Sequence, residues 1–284
     1  MNNQRICVIC HLYYQYMWEE IKEYLSNLEQ HTAFDLYITC TETNEELFKK
    51  IMSDFNENVK VAINVINNDQ GADISPFIYI LNKINLEDYD LVYKIHTKQN
   101  VAGIFTKLPE FTNSKIYIGE NLWRDFMFTS ILGKNNVKKV LETFKKHKDV
   151  GCMGFNPLLI TFPIKNMDKP ENYSELHSQF GFKELDKYKI YVGTIFVIRT
   201  ELLKCIQNKY NLKDFTTPDK EKFSHLTYLF EGFLGYLVEA QGFKFKSVYS
   251  SLHKFCLEFL SHRDLFPLFK FYVNKCILKR KVLL

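Results

Sequence analysis

Tyr89-Asp90-Leu91-Val92-Tyr93-Lys94-Ile95-His96-Thr97-Lys98 is a run of β-branched, aromatic and aliphatic residues that stops on a polar tip. Tyr89 to Ile95 therefore reads as a strand ending at His96-Thr97-Lys98. Just upstream, Ser75-Pro76 is a helix start, with serine as the cap and proline in the first turn. Asp73 then falls in the loop between that helix and a preceding strand, Val59 to Ile66. Further toward the N-terminus the alternation repeats. Phe34 to Thr41 is a strand, followed by a helix that Thr43 and Glu46 open as a capping box, with Leu47, Ile51 and Phe55 facing inward. Arg5 to His11 is the first strand, and Met17, Ile21, Tyr24, Leu25 and Leu28 recur at helical spacing behind it. Strand and helix in strict alternation predict an α/β layer structure on a largely parallel sheet.

Downstream of the quoted stretch, Gln99 to Gly119 carries Gly103, Pro109 and Asn113 in an irregular pattern and reads as a long surface loop. Val137, Val140, Leu141 and Phe144 mark a helix. Gly151 to Phe162 is a strand region, Asp168 to Lys187 a polar loop, and Tyr188 to Arg199 one further strand. A helix from about Ser224 to Gln241 is stopped by Gly242, and Lys244 to Tyr249 is a last strand. The expected division is a domain over residues 1–250 and a basic, aromatic C-terminal extension over 251–284, helical in part and broken at Pro267. The lysines of this tail do not gather on one side of a helix. Docking onto the core is its first reading, and peripheral contact with the inner membrane surface its second.

With 46% hydrophobic residues in 284, the chain can bury one large core or at most two small ones. A formal net charge of +4 is too small to suggest a nucleic-acid partner. No signal peptide or membrane-length apolar run is present, so the expected location is the cytoplasm, with the inner face of the membrane as a peripheral site. The seven cysteines are scattered and odd in number, which fits packed thiols better than disulfides. Cys7 and Cys10 form a CxxC, but within a strand they point to opposite faces, so core packing is preferred to zinc.

Ligands of an open parallel sheet bind beyond the carboxyl ends of its strands. Three notable segments fall there: Asp69 to Phe77, Lys94 to Lys98, and Gly193 to Arg199. In the late helix Glu231, Gly235 and Glu239 recur every four residues on a face that also carries Gly232. Each interior glycine costs a helix about 1 kcal/mol relative to alanine, so something approaches that face closely, either a neighbouring backbone or a ligand. Trp123 and Tyr14 are aromatic residues suited to stacking on a sugar or base, with core packing as the plainer reading.

The G-x-D-I-x-P-F loop (Gly71 to Phe77), the YDLVYKIHTK strand end, Trp123-Arg124, the GTIFVIR segment (Gly193 to Arg199) and the helix bearing Glu231 together resemble the rhamnan synthesis F family of bacterial polysaccharide glycosyltransferases. That resemblance implies a GT-A-like, Rossmann-like fold. It implies transfer of rhamnose or a related sugar from a nucleotide-sugar donor to a glycan or lipid-linked glycan acceptor of a surface polysaccharide, lipopolysaccharide or capsule, with inversion. By position it assigns Glu231 as the catalytic base with Asp73 in reserve. Gly71, Asp73, His96, Lys98 and Arg199 are assigned to the donor, and Trp123, Gly235 and Glu239 to the acceptor. GT-A-type enzymes often place an Asp-x-Asp pair for a divalent cation where this chain has His96 and Lys98, so no cofactor is predicted, no residue is assigned to a metal, and a magnesium or manganese ion is disfavoured. The chain departs from the family loop at Asp69, Gln70 and Ala72, and Gly232 stands where an arginine usually follows the glutamate. A sugar-phosphate transferase and a non-catalytic scaffold of a polysaccharide assembly complex are the alternative functions.

Overall fold

The structure is a computed structural model that describes residues 4–66, 71–98, 104–107, 115–118, 122–164, 170–182, 185–215 and 225–248. Its first half follows the expected alternation: β1 (Ile6–His11), α1 (Trp18–Glu29), β2 (Phe34–Cys40), α2 (Glu45–Ser53), β3 (Val59–Val65), α3 (Ile74–Leu81) and β4 (Leu91–His96). The second half contains β5 (Ile104–Lys107), β6 (Lys115–Ile118), α4 (Leu122–Leu132), α5 (Val137–Lys146), β7 (Val150–Met153), β8 (Leu159–Pro163), α6 (Pro170–Ser178), β9 (Lys187–Tyr191), β10 (Phe196–Arg199), α7 (His225–Ala240) and β11 (Lys244–Lys246). The C-terminal extension expected over 251–284 lies outside the described residues, as do Asp69 and Gln70.

Seven strands form one sheet in the order β11-β7-β10-β4-β1-β2-β3. All neighbours are parallel except β10, which runs antiparallel to both β4 and β7. This is an α/β, Rossmann-like architecture. Successive residues of β1 feed two cores. Ile6, Val8 and Cys10 pack with α1, α4 and α5, whereas Cys7 and Ile9 pack with α3 and α7. The CxxC is thus split across the sheet with both thiols buried, and burial pushes Cys10 up to about 12.

Several local expectations are corrected. Asn44, not Thr43, caps α2, its side chain accepting from the Leu47 amide at 3.1 Å. The Gln99 to Gly119 segment contains an antiparallel β5–β6 pair, and the polar stretch before β9 contains α6. The strand region expected over Gly151 to Phe162 holds two strands, β7 and β8, which belong to different sheets. The expected strand Tyr188 to Arg199 is also two: β9 pairs with β8 in a small separate sheet, and β10 joins the main one. The break lies at Gly193 and Thr194, both with positive φ, which turn the chain from one sheet into the other.

Candidate active site

From β1 the chain moves to β2 and β3 on one side, then returns across β1 to place β4 on the other. The carboxyl ends of β1 and β4 therefore flank a topological switch point, where open α/β sheets form a ligand crevice. His11 and His96 are register partners at this crevice. Because β10 is antiparallel, its entry arrives there too: Phe196 pairs with Lys94, bringing Gly193 and Thr194 beside the end of β4.

Asp73 stands at the position before α3 with helical backbone angles (φ −86°, ψ −6°) and makes no side-chain capping bond. An N-cap normally uses extended angles to turn its oxygen back onto the helix. Here the carboxylate instead accepts from the Lys94 ammonium and the Thr194 hydroxyl. This corrects the expected start of α3: Ser75 is buried inside the first turn rather than capping it. Gly71 sets up the arrangement. Its φ is +82°, its carbonyl accepts from the amides of Ile74 and Ser75, and a Cβ there would sit 2.6 Å from that of Ser75.

Lys94 is 1% exposed. Its ammonium also donates to the Thr194 hydroxyl at 3.0 Å and carbonyl at 3.2 Å. Burial pushes the Asp73 carboxyl up, but His96, Lys94 and the bonds from Lys94 and Thr194 outweigh it and hold the group well below the usual carboxylate range. Burial likewise lowers Lys94 against the pull of Asp73. His96 donates from Nε2 to the Gly193 carbonyl at 2.8 Å, with the same nitrogen 3.7 Å from Asp73. His11 shares a 3.0 Å hydrogen bond with the Thr39 hydroxyl. Burial lowers both imidazoles to about 4, so each is neutral at physiological pH.

Glu231 enters from α7. Burial, then the charge of Asp73, raise its carboxyl to about 7, with Lys98 and Lys94 pulling weakly the other way. Lys98 lies just beyond β4, and its carbonyl accepts from Arg124 Nη1 at 2.7 Å. Arg124 is itself buried and ion-paired with Glu20 of α1 at 2.8 Å, which ties the strand end to the helix layer.

Five predicted residues, Gly71, Asp73, His96, Lys98 and Glu231, thus belong to one constellation. Arg199 does not. It pairs with Leu91 at the amino end of β4, and its guanidinium donates to the carbonyls of Val150 (2.7 Å), Phe144 (2.8 Å) and His147 (3.0 Å). The antiparallel course of β10 carries it to the opposite edge of the sheet, where it closes the C-terminus of α5. The small residues of α7 face β9: a side chain at Gly235 would run into the Lys189 carbonyl, and one at Gly232 would lie 2.5 Å from the Tyr188 hydroxyl. Glu239 belongs to the same contact, accepting from the Lys189 amide at 2.9 Å and its ammonium at 3.1 Å. Gly235 and Glu239, assigned to the acceptor by the resemblance, thus serve the packing of α7 against β9. Trp123 lies in the first turn of α4, and its side chain is outside the described residues. Three members, Lys94, His11 and Thr194, escaped the sequence reading. Lys94 was signalled by a lysine inside an apolar strand, and His11 by a second strand ending on histidine in the same register as His96.

A family model for rhamnan synthesis protein F matches residues 1–243. The chain belongs to that family. The match spans every residue of the constellation, from His11 to Glu231. Among curated proteins, the uncharacterized protein WxcX of Xanthomonas campestris pv. campestris is similar in two strains, 22% identical over 249 residues and 87% of this chain. The chain spans 33% of the length of those relatives. Among the described residues of this rhamnan synthesis F member, no helix is long and apolar enough to cross a membrane. Nor do these residues contain a group of three His, Cys, Asp or Glu side chains arranged to hold a metal ion, and the Asp73 carboxylate is already engaged by Lys94 and Thr194.

Proposed function

We propose that the chain is a glycosyltransferase that moves rhamnose or a related sugar from a nucleotide-sugar donor to a growing surface polysaccharide, with inversion at the anomeric carbon. The observation that carries this reading is Glu231: a carboxyl raised to about 7, at the switch point of the sheet, beside a buried Asp73–Lys94 pair. A base is most effective when its pKa lies near the working pH, and this group is divided between its two forms at neutrality. In the proposed step Glu231 takes the proton of the acceptor hydroxyl while that oxygen attacks the anomeric carbon. The bond from that carbon to the diphosphate breaks, and the nucleoside diphosphate leaves with the bonding pair.

The supporting charge differs from the sequence expectation. With Arg199 at the far edge and His96 neutral, Lys98 is left to meet the developing diphosphate charge. Asp73 is reassigned from reserve base to a fixed anion, because a carboxylate held well below its usual range by Lys94 is a poor proton acceptor. It acts by keeping Glu231 high and Lys94 in place. The test is incubation of the full chain with nucleotide sugars and a rhamnose oligosaccharide, reading nucleoside diphosphate release together with extension of the oligosaccharide. Coupled appearance of both is expected. Absence of transfer, together with no thermal shift by any nucleotide sugar, would refute the reading, since a ligand at 100 times its Kd adds about 2.7 kcal/mol of stability.

A further inference from the structure

Five large hydrophobic side chains are exposed among the described residues, and three of them are tyrosines on elements that enter the candidate active site: Tyr13 at 44%, Tyr16 at 69% and Tyr228 at 53%. Tyr13 and Tyr16 follow β1 directly. Their loop is fastened to the tip of β4 by the Tyr14 amide, which donates to the Thr97 hydroxyl at 2.9 Å, and the Tyr13 ring lies 6.0 Å from that of His11. Tyr228 precedes Glu231 by three residues on α7, so the two share one side of the helix. The other two exposed large apolar groups, Met52 and Val65, are aliphatic, so among the described residues the strongly exposed tyrosines all lie on elements that enter the site.

We propose that this tyrosine rim is the binding surface for the acceptor saccharide, holding sugar rings against the phenol faces while the hydroxyls bond to their rims. The inference rests on the transferase reading for the direction in which the acceptor must point. The ring geometry favours a saccharide over a nucleobase. Tyr13 and Tyr14 are nearly perpendicular (85°) at 4.9 Å, and Tyr14 and Tyr16 are inclined by 49° at 5.9 Å. A base sandwiched between two rings needs them parallel and about 7 Å apart, twice the contact distance of carbon atoms. These rings instead form a stepped ridge of mutually inclined faces, with Tyr13 and Tyr16 the exposed steps. Charge agrees as well. Glu19 and Glu20, in the first turn of α1 behind the ridge, are paired with Lys50 and Arg124, so the ridge presents ring faces and hydroxyls, which suit a neutral glycan. A tyrosine offers both an apolar body and a polar tip, the combination a sugar requires.

The test is isothermal titration of the full chain with a rhamnose tetrasaccharide and, separately, with dTDP and UDP. It uses wild type, the double variant Tyr13→Ala/Tyr16→Ala, Tyr228→Ala, and Tyr16→Phe as the variant that keeps the ring. The double variant is expected to lose about tenfold or more in tetrasaccharide affinity, and Tyr16→Phe less than threefold, with nucleotide affinity retained throughout. Loss of dTDP or UDP affinity with the tetrasaccharide unaffected would make the rim a base-binding surface and overturn the proposal. Failure of the wild type to bind the tetrasaccharide at all would overturn it too, whereas the transferase reading would still be judged by nucleotide-sugar binding and by Glu231→Gln. A circular-dichroism melt of each variant separates lost folding from lost binding.

Discussion

Replacing Glu231 by Gln removes a proton acceptor and a buried charge while keeping size and hydrogen-bonding capacity, so the substitution has two separable consequences. The first is kinetic: loss of a general base lowers the transfer rate by about 10² to 10⁴-fold. The second is a gain in stability whose pH dependence follows from the shift. The carboxyl titrates near 4.5 in the unfolded chain and about 7 in the folded one, so both states are protonated at low pH and the variant then matches wild type. As pH rises from 4.5 through 7, the unfolded chain ionises first, and the folded state carries the cost of a buried charge, in full above 7. That cost is on the order of 3 kcal/mol for a wholly buried group, and roughly 1–2 kcal/mol here because Glu231 is only partly buried. At pH 8 the variant is therefore expected to melt roughly 3–5 °C above wild type, and at pH 4.5 at the same temperature. Differential scanning calorimetry at the two pH values, with a transfer assay at each, measures both arms. A variant that keeps its rate within tenfold, or whose Tm gain is the same at both pH values, would refute the assignment.

Other substitutions probe the surrounding groups. Lys94→Met strands the buried Asp73 charge and should destabilise by about 3–5 kcal/mol in urea titration, and adding Asp73→Asn should recover part of that loss. His11 and His96 are neutral when folded and titrate near 6.5 when unfolded, so the stability they contribute is full above pH 6.5 and is lost as pH falls toward 4; His11→Asn should flatten this acid limb in melts between pH 7 and 4. Arg199→Met leaves three buried carbonyls without their donor and should cost roughly 2–4 kcal/mol while nucleotide affinity, read by titration, stays unchanged. Transfer is expected to survive EDTA, and activity abolished by chelation and restored by manganese would make Asp73 and Glu231 metal ligands instead.

What the sequence revealed and what it hid divide along a physical line. From β1 to β4 each strand and its following helix are adjacent in the chain and parallel in the sheet, so local periodicity was enough to place them. The partner of β10 is set by contacts with β4 across a hundred residues, and nothing in Phe196 to Arg199 announces an antiparallel course. The sequence reading sent the whole Gly193 to Arg199 segment to the carboxyl ends of the strands, whereas the antiparallel course brings only Gly193 and Thr194 there and carries Arg199 to the opposite edge. The glycines of α7 signalled a close approach correctly, but the identity of the neighbour, the Lys189 carbonyl of β9, depended on the unforeseen break at Gly193. Lys98 drew notice as a charge on a tip, whereas Lys94 lay inside an apolar strand, where a lysine is tolerated only with a buried partner.

The antiparallel strand also accounts for the chemistry of the crevice. Had β10 run parallel, the turn containing Gly193 and Thr194 would lie at the far end of the sheet. Lys94 would then lose two of its acceptors and His96 its carbonyl partner. With the strand reversed, the turn arrives over the end of β4 and completes the coordination of Lys94, so that the ammonium and Asp73 remain ionised out of water. A fixed ion pair has little net charge, but its two ends act unequally on a neighbour. Asp73 is the stronger influence on Glu231, and its repulsion adds to burial in keeping that carboxyl close to neutrality. The base and the group that tunes it are thus held by different elements, α7 and the loop before α3, through a strand whose direction fixes both.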